Sequence, residues 1–398
     1  MGLRERGQQA MSNQTAYLDY GAATPLAPEV LEAMMPYLTE RFHNPSAPYA
    51  LARQARTDLE DARARLARLI GARPAQVTLT AGATEANNLA FAAVDGPVVT
   101  DAAEHESVLA CAEARSHVIV PVDADGRVSA RDVAAALTPQ TELVSVELAN
   151  GEVGAIQPVR EIGAVVAAER DRRLEAGERT PLYLHTDASQ AALTQAVNVS
   201  SLGADLVTLS AAKVYGPKQV GLLWSSDDVR LRPLVRGGGQ EGGVRSGTEN
   251  VAGVVGFARA LEMATAGRKQ EAARLRKLRS GFERHLTGAF PRMVVSGPTR
   301  DKLRLPGLLH VSFPGLDAAR LVVLLERRGV SVGTGSACAA SRMQVSHVLR
   351  AMGVPDEVAR GSLRITLGRP TTEDEVSYAA EAIVAAVREE AARVGVVL

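Results

Sequence analysis

Short apolar runs alternate with amphipathic stretches along the first two thirds of the chain. The apolar runs are rich in valine, leucine and threonine: "QVTLT", "PVVTD", "TELVSVEL", "LYLHTD" and "ADLVTLS". Stretches that follow them, such as "TEANNLAFAAV" and "ESVLACAEAR", have the apolar spacing of helices. Strands that are apolar on both faces are typical of a parallel sheet covered by helices on both sides. The pattern therefore predicts an α/β fold with a large, doubly wound and mostly parallel sheet.

A charged helical stretch separates this region from a different pattern. The segment "AGRKQEAARLRKLRSGFERHL" predicts a long exposed helix, and the chain after it mixes short strands with helices. We expect residues 16–265 to form the large domain, with its first residues free to pack against the rest, and residues 266–398 to form a smaller α+β domain. Residues 1–15 form a polar leader that we expect to be disordered.

Charge and composition narrow the classes of function. The 398 residues carry 45 basic and 45 acidic side chains, so no nucleic acid or anionic membrane is expected as a direct partner. No apolar run reaches the roughly 20 residues that span a bilayer, and the N-terminus lacks the apolar core of a signal peptide, so we expect a cytoplasmic protein. The only cysteines, Cys111 and Cys338, rule out a disulfide scaffold and a zinc-ligand spacing, and no metal site is expected.

Polar side chains of distinct chemistry follow the predicted strands. Ligands of a doubly wound sheet bind at the carboxyl ends of its strands. The side chains at these ends belong to Thr84, His105, Asn150, Asp187, Gln190, Ser210 and Lys213. Each alone has an ordinary explanation, such as a helix cap for the aspartate or a structural role for the histidine. The prediction therefore depends on their joint arrangement.

That joint arrangement suits pyridoxal phosphate. The cofactor needs a lysine for its aldehyde, a carboxylate beside its pyridine nitrogen and a cradle for its phosphate. Lysine can lose its proton and form a Schiff base, whereas arginine cannot, which singles out Lys213. Asp187 supplies the carboxylate. The helix that starts in "AGATEANN" offers backbone N–H groups and the Thr84 hydroxyl as the cradle.

Three further stretches allow two interpretations each. The glycine-rich "VRGGGQEGGVRSGTEN" is either a flexible surface loop or an anion-binding loop with Ser246 and Thr248 as donors. In "GTGSACAAS", Cys338 is either an exposed nucleophile or an unimportant small residue. Arg364, within the apolar strand "GSLRITLGR", makes either a structural ion pair or a bidentate contact with a substrate carboxylate.

These motifs together resemble the cysteine desulfurases of the nitrogen-fixation and iron–sulfur-cluster type. This group belongs to the class V aminotransferases among the fold-type I pyridoxal phosphate enzymes. The resemblance extends from "YLDYGAATPLAPEV" to "SLRITLGRPTTEDEV" and includes, in family order, "FHNPSAPYA", "TAGATEANN", "AEHESV", "TDASQ", "KVYGPK", "RSGTEN", "GSACAAS" and "VLRAMG". It therefore covers nearly the whole chain.

The resemblance implies how the cofactor is bound. Lys213 would hold pyridoxal phosphate covalently and later move the α-proton of the substrate. Asp187 would pair with the pyridine nitrogen, His105 would stack on the ring and shuttle protons, and Gln190 would bond the phenolic oxygen. The phosphate ligands would be Ala83, Thr84, Ser210 and, from the second subunit of a homodimer, Thr248.

The resemblance also implies how the substrate is handled. Asn44 and Arg364 would hold the carboxylate of L-cysteine, with Asn150 also on the substrate side. Cys338 would take the sulfur as a persulfide, release L-alanine and pass the sulfur to an acceptor protein. The sequence does not distinguish an acceptor for iron–sulfur clusters from one for tRNA thiolation or for sulfur modification of DNA.

Two residues depart from the family pattern. Ala212 stands directly before the lysine, where the family usually has a phosphate-binding histidine, and Gly151 replaces the second asparagine of an Asn-Asn-Glu loop. Two alternative functions therefore stay open. A selenocysteine lyase or aminotransferase of this fold would need Lys213 but not Cys338. A non-catalytic scaffold for sulfur-transfer partners would need neither.

Overall fold

The computed structural model of the protein describes residues 15–334 and 345–397. The strands of this part are Ala16–Leu18 (β1), Val77–Thr80 (β2), Val98–Asp101 (β3), His117–Val120 (β4), Leu143–Ser145 (β5), Tyr183–Asp187 (β6), Leu206–Ser210 (β7), Gly221–Ser225 (β8), Val294–Ser296 (β9), Leu308–Ser312 (β10), Val330–Val332 (β11) and Ser362–Thr366 (β12). The helices are Pro28–Thr39 (α1), Ala50–Leu69 (α2), Ala83–Ala92 (α3), Glu106–Glu113 (α4), Ala130–Ala136 (α5), Val159–Glu175 (α6), Val199–Leu202 (α7), Val251–Ala289 (α8), Ala318–Glu326 (α9), His347–Ala351 (α10), Asp356–Ala359 (α11) and Glu373–Val394 (α12).

A seven-stranded sheet forms the centre of the fold, in the order β2-β8-β7-β6-β5-β3-β4. Neighbouring strands from β7 to β4 run parallel, and only β8 runs antiparallel to both of its neighbours. The prediction of a large, mostly parallel sheet is confirmed. Strands β4 and β8 were not predicted from the sequence pattern. Every residue of β2, β3, β5 and β7 is buried, as their apolar composition requires when helices cover both faces.

Two smaller sheets are built from β1 and from strands that follow the large sheet in sequence. The antiparallel strands β12-β10-β9 form the first, and β1 pairs in parallel with β11 in the second. Ala16 and Leu18 of β1 therefore lie in the core built mainly by the C-terminal third, with residues such as Leu325 and Ile383. The N-terminal strand thus packs with the C-terminal part of the chain.

Helix α8 is 39 residues long and contributes to two hydrophobic cores. Its first half, including Phe257 and Leu261, packs on the core of the large sheet. Its second half, including Leu275 and Phe282, packs on the core of the small sheets. The predicted long helix is present, but it begins at Val251 and runs without interruption through the predicted division at residue 265. The domain boundary itself stays a prediction.

No helix within residues 15–334 and 345–397 is both long and apolar enough to cross a membrane.

Side chains cap the starts of the two longest helices. Asn250 caps α8, its side-chain oxygen accepting a hydrogen bond from the Gly253 N–H at 2.9 Å. Thr372 and Glu375 form a reciprocal capping box at the start of α12.

Candidate active site

Lys213 lies in a short helical turn directly after β7, at the carboxyl end of the large sheet. Its Nζ donates hydrogen bonds to the carbonyl oxygens of Gly21 at 2.8 Å and Ala22 at 2.7 Å. Burial, assisted by the positive charge of Arg364, lowers the pKa of Lys213 to about 8. The amine is therefore able to lose its proton close to neutral pH, as a nucleophile or a base requires.

Asp187 and His105 are joined by a chain of side chains. Asn87 Nδ2 lies 2.9 Å from Asp187 Oδ2 and 2.9 Å from Ser107 Oγ, and Ser107 Oγ lies 2.9 Å from His105 Nδ1. The Ser107 backbone N–H also donates to His105 Nδ1 at 3.1 Å, so this nitrogen is an acceptor and the neutral ring carries its proton on Nε2. Burial of the ring lowers the pKa of His105, Asp187 opposes that change, and Lys213 adds to it. The network fixes the orientation of both groups.

Helix α3 begins without a side-chain cap. Its N-cap residue is Gly82, at φ +121°, and a Cβ placed there would meet no atom within 4 Å. The backbone N–H groups of Ala83 and its neighbours, together with the exposed Thr84, therefore face open space at the start of a helix. Ser210 ends β7 beside this region. Free N–H groups and hydroxyls of this kind suit a phosphate.

The glycine-rich segment 235–250 is attached to helices α2 and α3 by ion pairs. Both Nη atoms of Arg63 lie 2.7 Å from the carboxylate oxygens of Glu241. Arg245 Nε lies 2.9 Å from a carboxylate oxygen of Glu85. The interpretation of this segment as a flexible loop is not supported by these contacts. Thr248 is exposed on the segment.

Arg364 lies in the middle of β12, where its side chain is 8 % exposed. Its Nη2 lies 2.8 Å from Asp19 Oδ1, and its Nη1 lies 3.3 Å from the carbonyl oxygen of Gly151. Its Nε is buried and has no hydrogen-bond partner within the part of the chain that the structure describes. The ion pair of the first interpretation is present, and because donors of the guanidinium remain for a ligand, the contact with a substrate carboxylate stays a prediction.

The side-chain amide of Asn150 forms all of its hydrogen bonds within the protein. Its Nδ2 donates to the carbonyl oxygen of Ala103 at 2.9 Å and to Glu147 Oε1 at 2.7 Å. Its Oδ1 accepts the backbone N–H groups of Glu152 at 2.9 Å and Val153 at 2.8 Å. An amide has two donor hydrogens and two lone pairs, so none is left for a substrate. The geometry argues against the predicted substrate contact and assigns Asn150 the role of shaping its loop.

Two other predicted contacts gain no direct support from the hydrogen bonds of the described residues. Asn44 is exposed, and its Oδ1 accepts the Ser46 backbone N–H at 2.9 Å within its own loop. Gln190 Nε2 donates to the Gly21 carbonyl oxygen at 3.1 Å, the same oxygen that Lys213 uses. Gln190 therefore lies beside Lys213, whereas the contact that Asn44 shows is within its own exposed loop. Cys338 falls outside the described residues.

Three relatives identify this arrangement. The aminotransferase class-V family model matches residues 16–378. The "Cysteine desulfurase IscS" of Dictyoglomus turgidum is 39% identical over 374 residues, which cover 91% of this chain and 92% of the relative. A solved "NIFS-LIKE PROTEIN" has a TM-score of 0.86 at 32% identity and covers 94% of this chain and 100% of its own. A structure described as "SspA in complex with cysteine" has a TM-score of 0.74 at 32% identity and covers 89% and 99%.

The chain belongs to the aminotransferase class-V family. Within that family it is a member of the cysteine desulfurases, so it is an enzyme that depends on pyridoxal phosphate. The residues present fit that cofactor. A lysine of lowered pKa, a hydrogen-bonded aspartate, an oriented imidazole and an uncapped helix start lie at one edge of one sheet. Within residues 15–334 and 345–397, no group of acidic, histidine or cysteine side chains is arranged to hold a metal ion.

The two departures from the family pattern have local structural explanations. A Cβ on Gly151 would lie 2.8 Å from Gln190 Nε2, so the Gln190 side chain occupies the space that a larger residue would need. The Ala212 carbonyl accepts two hydrogen bonds from Thr24, one from its N–H at 3.2 Å and one from its Oγ1 at 2.9 Å. The backbone before Lys213 is therefore held in place without help from the side chain at 212.

Sequence reasoning missed two residues of this class-V site. Asn87 was quoted only as part of a motif, although a fully buried asparagine on the apolar face of α3 is itself a signal of a polar contact. Asp19 follows β1 and gave no local signal, because its partner Arg364 is 345 positions away.

Proposed function

We propose that this enzyme removes sulfur from L-cysteine, carries it as a persulfide on Cys338 and releases L-alanine. One observation carries the proposal: residues 19–22 form a single turn that contacts both Arg364 and Lys213. An α-amino acid bears its carboxylate and its α-proton on the same carbon. A guanidinium and a basic amine held by one turn are placed to act on these two groups together.

Arg364 is proposed to bind the substrate carboxylate through its remaining N–H groups, as buried arginines do with planar anions. Lys213 is proposed to accept the α-proton on Nζ, which its lowered pKa allows near neutral pH. Asp187 is proposed to hold the pyridine nitrogen in its protonated form, with Asn87 fixing the carboxylate. Bound pyridoxal phosphate supplies the electron-withdrawing ring that makes the α-proton acidic.

The sulfur step is proposed for Cys338. Its thiolate attacks the sulfur of the substrate, so a new S–S bond forms on the enzyme. The substrate Cβ–S bond breaks, and its electron pair stays with Cβ, which gains a proton. The α-carbon regains the proton that Lys213 accepted, and the product leaves as L-alanine. His105, whose pKa is lowered by burial, is proposed as the group that holds a proton nearby on Nε2.

The test measures sulfide and alanine released from L-cysteine in the presence of a thiol reductant. We expect the wild type to release both in equal amounts and Cys338→Ala to release neither. Cys111→Ala is the matched control, because Cys111 lies half-buried in α4 and burial raises the pKa of its thiol. That variant should behave as the wild type does. Full activity of Cys338→Ala would instead support the lyase or aminotransferase alternative.

We also propose that the enzyme works as a homodimer and delivers sulfur to an acceptor protein. Thr248 is exposed on a segment that ion pairs hold rigid, which supports its role as a phosphate ligand of the second subunit. Leu31, Met35 and Leu38 form an exposed apolar stripe on α1, followed by the exposed Phe42. Apolar surface of this kind supports burial against another subunit.

A further inference from the structure

The guanidinium of Arg364 is enclosed by glycines and one carboxylate. A Cβ on Gly333 would lie 3.1 Å from Nε and from Nη2, and a Cβ on Gly21 would lie 3.7 Å from Cζ. The carbonyl oxygen of Gly151 accepts a hydrogen bond from Nη1. Asp19 is the only acid paired with Arg364 within the part of the chain that the structure describes. Within the described residues, the guanidinium therefore has backbone around it and Asp19 as its one ion-pair partner, and it also acts through its charge on the Glu152 carboxylate.

Two of the five N–H groups of this guanidinium are used within the described residues. One Nη2 hydrogen goes to Asp19 and one Nη1 hydrogen goes to Gly151. Among the described residues Nε is buried without a hydrogen-bond partner, which is costly unless a ligand satisfies it. The contact with Asp19 thus fixes the plane of the guanidinium and leaves Nε available to donate to a ligand.

The backbone of Asp19 is held in place independently of its side chain. Its carbonyl oxygen accepts hydrogen bonds from the Ala22 N–H at 3.0 Å and the Tyr17 hydroxyl at 3.0 Å. Residue 19 also pairs with Thr366 in a parallel bridge. A substitution of the Asp19 side chain should therefore leave the turn intact and affect mainly the guanidinium.

We propose that Asp19 is a positioning residue for recognition of the substrate carboxylate, acting through Arg364. This inference rests on the proposed function, which assigns Arg364 to that carboxylate. Asp19 has two opposed effects: its charge repels an incoming carboxylate, and its ion pair orients and stabilises the buried guanidinium. The second effect prevails, because removing one partner of a buried pair leaves an uncompensated charge that must move or recruit other anions.

Gly333 gives the same arrangement a steric requirement. A Cβ at this position would lie 2.9 Å from Asp19 Oδ1, closer than a carbon and a carboxylate oxygen pack without displacement. The backbone N–H and carbonyl of residue 333 also exchange hydrogen bonds with those of Arg364, at 3.0 and 2.8 Å. The lack of a side chain at 333 thus allows the ion pair to form at this distance.

The experiment uses the cofactor-loaded enzyme and compares steady-state kinetics with L-cysteine. We expect Asp19→Ala to raise KM at least about tenfold while kcat stays within about threefold, since a contact to a charged group is lost before the chemical step. Asp19→Asn keeps an acceptor oxygen of similar size and should show a smaller rise. An unchanged or lowered KM in Asp19→Ala would overturn the proposal.

Equilibrium binding separates positioning from general damage. Titrations of the cofactor absorbance with L-alanine and with ethylamine compare ligands that differ in the carboxylate. In Asp19→Ala, binding of L-alanine should weaken at least about tenfold, and binding of ethylamine should not change. Equal weakening of both would contradict a role in carboxylate recognition. If Asp19→Ala does not fold, Asp19→Asn carries the same comparison, with selective weakening of L-alanine binding as the expected result.

A matched control is available in another ion pair of a buried arginine. Asp301 Oδ1 lies 2.6 Å from Nη2 of Arg279, whose side chain is 4 % exposed. Asp301→Ala should lower stability without changing the KM for L-cysteine. Failure of the proposed function is recognised separately: a wild type that binds L-alanine but releases no sulfide would reject desulfuration, and the comparison of L-alanine with ethylamine would still test Asp19.

Discussion

At the scale of single residues, the backbone around Lys213 matters as much as the residue type. Its amine donates to two carbonyl oxygens of the turn at residues 21–22, which stabilises the protonated form. Burial and the charge of Arg364 act in the opposite direction and prevail, so the pKa is lowered to about 8. The same turn carries Asp19, so one short segment contacts both Lys213 and Arg364.

The lowered pKa predicts a pH dependence for cofactor capture. The free amine of Lys213 increases as pH rises through about 8, so the rate at which apoprotein takes up pyridoxal phosphate should rise over that range and then level. Stopped-flow absorbance measures this rate. Arg364→Met should move the midpoint upward, because the arginine lowers the pKa. A wild-type midpoint near that of free lysine, about 10.4, would contradict the assignment.

The lowered pKa of Lys213 also determines whether the free energy of unfolding rises or falls with pH. The native state binds a proton at Lys213 less tightly than the unfolded state, so between about pH 8 and the ordinary value of 10.5 the unfolded chain carries more protons. The contribution of this group to the free energy of unfolding therefore rises with pH across that window.

At the scale of elements, ion pairs hold the glycine-rich segment 235–250 against helices α2 and α3. Arg63 on α2 and Glu241 are both buried at their side chains, 9 % and 4 % exposed. Glu241 Oε2 also accepts the Leu79 N–H of β2 at 2.9 Å. A segment rich in glycine has a high conformational entropy when free, so such contacts are needed to give Thr248 a fixed position.

Glu241→Ala should therefore be strongly destabilising. It leaves Arg63 buried without its main partner, which typically costs about 3–5 kcal/mol. Urea unfolding of the apoprotein measures the change in the free energy of unfolding. Asp227→Ala is the control, because the Arg73–Asp227 pair is 67 % exposed on both sides and should contribute less than about 1 kcal/mol. Similar losses in both variants would contradict the role given to the buried pair.

At the scale of the whole molecule, exposed apolar side chains on α1 form the surface on which the proposed homodimer would pack. Leu31, Met35 and Leu38 recur at a spacing that places them on one face of the helix. They are 45 %, 44 % and 55 % exposed, although α1 is packed against α8 on its other side.

In the proposed homodimer, Leu38→Glu should weaken association, since it places a charge where Leu38 would be buried against the second subunit. Sedimentation velocity should show a shift toward monomer, and the monomer should retain pyridoxal phosphate poorly because Thr248 of a second subunit is missing. Leu174→Glu makes the same chemical change at a site on α6 that is 79 % exposed, and it should leave the assembly unchanged. A variant Leu38→Glu with wild-type sedimentation would place the interface elsewhere.

The parts of this protein that the sequence predicted are those set by local pattern and chain direction. Apolar runs made the strands of a parallel sheet, and parallel strands bring their carboxyl ends to one edge. Lys213, Asp187, His105 and Thr84 were therefore predicted to share a site without knowledge of any contact. The long helix was recognised for the same reason, although its start at Val251 was hidden by an apolar, small-residue first half.

The tertiary structure alone decided the contacts between distant parts of the chain. Asp19 meets Arg364 across 345 positions, and Glu241 meets Arg63 across 178. Asn150 was expected on the substrate side, but all of its amide donors and acceptors form hydrogen bonds with its own loop and with neighbouring residues. Sequence pattern reports which face of an element is apolar, but hydrogen-bond partners depend on how elements pack in three dimensions. The sequence thus predicted the kind of site and the edge of the sheet on which it lies. The packing of distant segments determined which groups remain available for ligands.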